Sequence, residues 1–204
     1  MRERLLGSII IVLSASMLIW QSVEPTRGKD AIMGEVINTQ GGDVFRVRGD
    51  REQTLKPGDT IRRGEYIKTR DAFSSLEVDG TIIVLAKRTE IIVVNHSGAQ
   101  PQIRLLGGRI FTSGDIFVET AWISASSNDQ LSVVNYAFDE RVQILPLGAS
   151  TFVENTVIGR LPASLPTQWD ERMSELTTDL LPFNPETSHE NSFYAWALDQ
   201  IKND

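Results

Sequence analysis

Between residues 42 and 94, short segments rich in Val, Ile and Phe alternate with turn residues: Gly49-Asp50, Pro57-Gly58-Asp59, Arg63-Gly64-Glu65 and Asp79-Gly80. Brief apolar runs cut off by such signals are the rhythm of an all-β domain. In Lys56-Pro57-Gly58, proline presets φ near −65° and glycine accepts the positive φ that follows, which favours a type II turn. Asp79-Gly80, between Leu76-Glu77-Val78 and Ile82-Ile83-Val84-Leu85, fits the paired left-handed dihedrals of a type I′ hairpin. Ile82 to Ala86 and Glu90 to Val94 are apolar at consecutive positions, so both faces of these strands are expected to be covered, at the centre of the core. Val44, Arg46 and Arg48 alternate against Phe45 and Val47, as in a strand with one face in water.

The same rhythm starts at Glu35-Val36-Ile37 and resumes after the loop Asn95-His96-Ser97-Gly98-Ala99-Gln100-Pro101. Candidate strands follow at Gln102 to Leu106, Arg109 to Thr112, Ile116 to Thr120, Leu131 to Val134, Arg141 to Leu145 and Thr151 to Ile158. In all, about eleven short strands recur every 8 to 12 residues or so, which predicts a mainly β domain: a compact roll, sandwich or solenoid-like winding. Gly-Asp or Gly-Glu at 42, 49, 58, 64 and 114 hints at wound repeats, but the spacing is too irregular for a repeat array. Beyond Gly159, Pro162, Pro166, Pro182 and Pro185 divide the tail. Thr167 can cap a helix over Gln168 to Leu181, where Trp169, Met173, Leu176 and Leu180 recur at helical spacing. A second helix is predicted over Glu186 to Lys202, with Phe193, Trp196, Ala197 and Ile201 on its apolar face and Tyr194 and Leu198 beside it. Such stripes either pack on their own domain or meet a partner. Trp169, Met173, Phe193 and Trp196, with Arg62 and Arg63, are the candidate partner surface.

Leu5 to Val23 carries no charge, and its nineteen residues would span ~28 Å as a helix, close to a bilayer core of about 30 Å. Leu5, Ile9, Ile10, Ile11, Val12, Leu13, Leu18 and Ile19 supply its apolar body, Arg2 and Arg4 precede it, and Trp20 falls where an amphipathic ring suits the interface. The pattern predicts a single N-terminal transmembrane helix with its N-terminus inside. A cleaved signal peptide is the competing reading, although no small-x-small site is well placed after Trp20. The expected organisation is a cytoplasmic stub at 1–4, a membrane helix at 5–23, a juxtamembrane linker at 24–33, a β domain at 34–160 and a helical tail at 161–204. The main domain would then face the periplasm or exterior of a bacterial inner (cytoplasmic) membrane.

Leu55, Gly58-Asp59-x-Ile61, Gly64-Glu65-x-Ile67-x-Thr69, Asp79-Gly80-Thr81 with the following apolar run, Thr89-Glu90-Ile91 and Gly108-Arg109-Ile110 together resemble the extracytoplasmic domain of FecR-type proteins, over about residues 36–147. These motifs are turn residues and strand apolars, so the resemblance implies a fold and says little about chemistry. Ser124-Ala125-Ser126-Ser127 stands where the family has Arg-Gly-Thr, which leaves the register of residues 121–147 open. Full-length FecR-type regulators place an anti-sigma segment in the cytoplasm. The four or so residues before Leu5 could not build one, so direct sigma-factor control is not expected.

Composition narrows the chemistry. A formal net charge of −7 argues against nucleic acid, which needs a basic face to displace condensed counterions. Absence of cysteine excludes disulfides, thiolate metal sites and a lipoprotein anchor. Charge is uneven: eight Lys or Arg against four acids between Arg46 and Arg70, and eight acids against two bases from Ala163 to Asp204. The basic strands could meet an anionic envelope polymer or lipid, or simply be solvated edge strands. His96 and His189 are the only histidines, and no zinc-protease, calcium-loop, phosphate-loop or nucleophile-elbow motif occurs. Asp115, Glu119 and Asp139 could pair as general acid and base only if folding joined them. No catalytic, cofactor or metal residue is therefore assigned and no enzyme is expected. The leading expectation is a membrane-anchored, non-catalytic module that binds a protein partner in envelope signalling or organisation. The alternatives are a subunit of an envelope assembly docked through its C-terminal helices, and a β domain that binds or cleaves cell-wall glycan.

Overall fold

Asp79 and Gly80 take φ values of +47° and +79° and join Val78 to Thr81 across a two-residue turn, as their types predict. Gly58 takes φ +86° after Pro57, and Asp59 N–H closes that turn on the Lys56 carbonyl at 3.0 Å. The computed structural model describes residues 31–94, 100–148, 150–179 and 181–202. The predicted membrane segment, its flanks and His96 lie outside the described residues. Among those described, no helix is long and apolar enough to cross a membrane.

Strands assemble into two layers. The first sheet runs β4 (Thr60–Arg62), β1 (Ile32–Gln40), β6 (Phe73–Val78), β7 (Thr81–Leu85), β9 (Gln102–Ser113), β12 (Leu131–Tyr136), β13 (Arg141–Pro146), β16 (Thr167–Asp170) and β17 (Glu175–Thr178). The second runs β3 (Arg51–Leu55), β2 (Val44–Arg48), β5 (Tyr66–Thr69), β8 (Glu90–Val94), β9 again, β10 (Ile116–Glu119), β11 (Ser124–Ser127), β14 (Thr151–Asn155) and β15 (Gly159–Pro162). All neighbours are antiparallel except β9 and β10. Inward-facing residues of both layers, from Val36 and Ile61 to Ile144 and Trp169, form one apolar core.

β9 belongs to both sheets. Its first half pairs with β8 and β10, its second with β7 and β12. The sequence pattern reads it as two strands because Gly107-Gly108 interrupts the apolar residues. Instead the strand continues and changes layer there: Gly108 has φ +92°, and a Cβ on it would lie 2.6 Å from the Arg88 carbonyl oxygen and from Thr89 Cα. Only glycine permits so close a crossing.

Among the described residues one α-helix, α1 (Asn191–Lys202), packs on the first sheet. Phe193, Tyr194 and Ala197 bury against Ile82, Val84 and Phe111 on the outer face of the first sheet. That is why Ile82 to Ala86 is buried at every position. The expectation of two covered faces fails for Glu90 to Val94. There Ile91 and Val93 are buried but Ile92 and Val94 are half-exposed, because no helix among the described residues covers the second sheet.

Further expectations are corrected. The described residues between 168 and 181 form no helix: β16 and β17 are a hairpin, with Trp169 opposite Leu176. The β domain therefore extends past residue 160 to Thr178, and the predicted linker is shortened because β1 begins at Ile32. The second predicted helix begins at Asn191, after a 3₁₀ turn over Pro185–Thr187 that the Asn184 side chain caps by accepting from Glu186 N–H at 2.9 Å. Finally, Arg46 points inward, where it meets Glu65.

Candidate functional site

Residues that carry the FecR resemblance serve the chain's own turns. Leu55 is buried in the core. Asp59 Oδ2 accepts from Lys56 N–H at 2.8 Å, and Gly64 N–H donates to the Val93 carbonyl at 2.7 Å. Thr69 Oγ1 donates to the Ala86 carbonyl at 2.6 Å and accepts from Thr89 N–H at 2.9 Å. Thr81 Oγ1 donates to the Asp115 carbonyl at 2.6 Å. Glu65 is buried and accepts from Arg48 Nη2 at 2.8 Å and from Arg62 N–H at 3.1 Å. Arg46 Nε lies 2.9 Å from the same carboxylate, with its N–H turned off the line to it, while Arg46 Nη2 donates to the Thr60 carbonyl.

Several cations of the basic strands are engaged within the fold. Arg46 and Arg48 pair with Glu65; Lys68 and Arg70 pair with Glu52, and the hydrogen bond from Lys68 holds the Glu52 carboxyl below its ordinary range. Burial, aided by a 2.5 Å hydrogen bond to Glu90, pushes the Tyr66 hydroxyl up to about 12.

Two further places bear on contact with other molecules. The first is the tip of the β12–β13 hairpin. Phe138 is 99% exposed there, on a turn closed by Asp139 N–H donating to the Tyr136 carbonyl at 2.9 Å. The β16–β17 turn lies alongside, because Arg172 donates to Glu140 at 3.0 Å and to the Phe138 carbonyl at 3.3 Å. It presents Met173, 66% exposed. Beside Phe138 a shallow recess of about 410 Å³ is lined by Arg88, Leu106, Gly108, Asn135 and Tyr136. This apolar tip lies at the end of the first sheet opposite Ile32, since Gly108 pairs with Asn135 near the tip whereas Ile32 lies near the Asp79-Gly80 turn.

The second place is a cleft of about 620 Å³ between β13 and the segment leading into α1, with Arg109 and Tyr194 in its lining. Arg109 is the predicted motif residue that reaches it. Its guanidinium lies over the Tyr194 ring at 5.5 Å and donates to Tyr194 Oη at 3.3 Å. Burial pushes the Tyr194 hydroxyl up, against the opposing pull of the Arg109 charge.

Other candidates are not brought together. Asp115 sits beside Thr81, Asp139 at the opposite end on the hairpin tip, and Glu119 pairs with Arg104 at 3.0 Å, so these acids form no pair. Among the described residues no three His, Asp or Glu side chains group to hold a metal. Of the candidate partner surface, Trp169 and Phe193 are each 1% exposed, Trp196 packs on Phe73, and Arg62 and Arg63 are half-buried. Only Met173 is presented outward. The stripe of Phe193, Trp196 and Ala197 packs on its own domain, the first of its two expected roles, because the spacing that marks a face does not say whether a sheet already covers it. Phe138 was missed, although a phenylalanine inside Tyr136-Ala137-Phe138-Asp139-Glu140, between two strands, was a readable signal.

No protein-family model and no curated protein matches the chain. Two crystal structures of a putative anti-sigma factor from Parabacteroides distasonis ATCC 8503 are similar to it, each with a TM-score of 0.49 and 14% identity, over 56% of this chain and 58% of theirs. The match thus spans little more than half of either protein, and it concerns the course of the backbone.

Proposed function

We propose that the chain is a FecR-like contact module, held by residues 5–23 on the outer side of a bacterial cytoplasmic membrane, which binds a protein partner in envelope signalling or organisation without catalysing a reaction. Its polar side chains support this reading, since those of Asp59, Glu65, Thr69 and Thr81 are occupied by the fold's own backbone and ion pairs. The observation that carries it is Phe138. A fully exposed aromatic ring on a braced hairpin, with Met173 beside it and Leu106 and Tyr136 partly exposed nearby, is the composition of a protein-binding hot spot. Docking through C-terminal helices has less support, because Phe193, Tyr194 and Ala197 already pack on the first sheet. A glycan groove would need exposed aromatics beside paired acids; Trp169 is buried, Trp122 and Trp196 are half-buried, and Asp115, Glu119 and Asp139 form no pair near Phe138.

A photo-crosslinking amino acid at position 138, compared with one at Gln53 on the far edge strand, tests the proposal in cells. A discrete adduct found only from position 138, and lost in a Met173→Ser background, is expected. Identical adduct patterns from both positions would overturn it. Loss of fold is no explanation for a negative result, because exposed positions tolerate substitution within about 0.5 kcal/mol.

A further inference from the structure

Arg109 is unusual in being largely buried, with 12% of its side chain exposed, yet sparsely partnered. A guanidinium carries five N–H donors. Among the described residues, this one makes a single side-chain hydrogen bond, to Tyr194 Oη. The nearest carboxylate, Glu190, stops at 3.9 Å, beyond hydrogen-bond reach.

Below Arg109 the protons can run in only one direction. Ser132 Oγ donates to the Ile110 carbonyl at 3.0 Å, so the 3.0 Å contact between Ser132 and Tyr194 must be a donation by the Tyr194 hydroxyl. Tyr194 Oη is then left as an acceptor for Arg109. This chain fixes the guanidinium from one side and leaves its remaining donors without a hydrogen-bond partner among the described residues, in the wall of the cleft that Arg109 lines. Leu145, Pro182 and Phe183 provide apolar wall, and Gln143 and His189 polar wall. The volume, about 620 Å³, lies in the range of small-ligand and peptide sites, roughly 300–1,000 Å³.

We propose that this cleft binds a carboxylate carried directly on an apolar group, namely the free C-terminus of a peptide ending in an apolar residue. A planar guanidinium with unused donors matches a carboxylate in two parallel hydrogen bonds. A dianion such as phosphate is disfavoured, because the cleft holds one arginine and also contains Asp179, with Glu190 close by. Glu190 is the internal competitor. It is half-exposed and not hydrogen-bonded to Arg109, so an incoming carboxylate exchanges one anion for another while adding apolar burial. The site is separate from the Phe138 contact and does not rest on it.

The test is NMR titration of the full chain with N-acetyl-Ala-Leu-Phe as the free acid, observing the Arg109 Nε–H resonance. Parallel arms use the same peptide as its C-terminal amide, an amidated peptide with an internal glutamate, and inorganic phosphate. The free acid is expected to shift the Arg109 signal and to bind at least tenfold more tightly than the amide. Glu190→Gln, at an exposed position, should tighten binding several-fold by removing the competitor, and Arg109→Gln should abolish it. Equal binding of acid and amide, no tightening of the acid in Glu190→Gln, or phosphate binding as tight as the acid would overturn the proposal. Equal binding by the internal-glutamate peptide would overturn the chain-terminus assignment. Because Arg109→Gln also unbraces Tyr194, the tightening in Glu190→Gln is the decisive reading.

Discussion

Removing the Glu65 carboxylate is expected to destabilise the domain far more than a surface ion pair would. In the folded chain the Glu65 side chain is 5% exposed and Arg46 is 11% exposed, so Glu65→Ala strands a cation where water barely reaches. Breaking a buried pair from one side costs about 3–5 kcal/mol. Arg62 N–H loses its acceptor as well, a loss of about 1–3 kcal/mol that overlaps with the first. Arg48, 64% exposed, adds at most about 1 kcal/mol. Urea unfolding followed by tryptophan fluorescence should therefore show Glu65→Ala about 3–5 kcal/mol less stable at unchanged m-value, and Arg48→Ala within about 1 kcal/mol of wild type. Replacing both partners, Arg46→Met with Glu65→Leu, should recover most of the loss, because no unpaired charge remains. If Glu65→Ala alone falls within about 1 kcal/mol of wild type, or the double variant is no better than the single one, the pair is not the buried, mutually dependent contact described above.

Gly108→Ala should destabilise by about 2–5 kcal/mol, combining positive-φ strain with a 2.6 Å approach to backbone, whereas Gly49→Ala, at φ +61° in open space, should lose only about 1 kcal/mol; equal urea midpoints for the two would refute the sheet-switching role. Burial raises the Asp170 carboxyl, but Met173 N–H at 3.3 Å and Arg141 at 3.0 Å outweigh it and hold the group below its ordinary range. Its stabilisation is therefore complete above the unfolded carboxylate pKa of about 4 and is lost as pH falls through the lower folded value, so Asp170→Asn should be distinctly less stable at neutral pH and converge on wild type in acid. Tyr66 runs the other way: its hydroxyl is raised to about 12, so the stabilisation is present below about pH 10 and disappears between there and pH 12. Tyr66→Phe should flatten the alkaline limb of the stability profile, and an unchanged limb would show that Tyr66 does not cause it.

Turns were legible because turn geometry is local. Asp79-Gly80 and Pro57-Gly58 adopt the conformations that their residue types favour, and such turns indicate a mainly β body, although the pattern predicts about eleven strands and 17 are present among the described residues. The misread hairpin shows where periodicity stops discriminating. Trp169 and Leu176 are seven residues apart, which places them two turns apart on one helical face, but also opposite each other across a four-residue hairpin turn. Thr167, Thr177 and Thr178, β-branched and poorly suited to a helix, favoured the hairpin. Likewise the alternation of Val44, Arg46 and Arg48 gives the right period but cannot say which face is inside. That depends on Glu65, nineteen residues on, arriving beneath Arg46.

The two candidate contacts were hard to see for a related reason. A motif residue such as Thr69 agrees with the fold at every level: its type, its burial and its hydrogen bonds point the same way. Phe138 does not agree, since the most apolar residue of its turn is 99% exposed. Arg109 disagrees in the opposite sense, a charge drawn into the interior and left with donors to spare. Such local conflicts lower stability and persist where something outside the fold offsets them. Turn residues such as Asp79-Gly80 could therefore lead from sequence to backbone, while the candidate contact residues stand out only once burial and hydrogen bonding are known side chain by side chain.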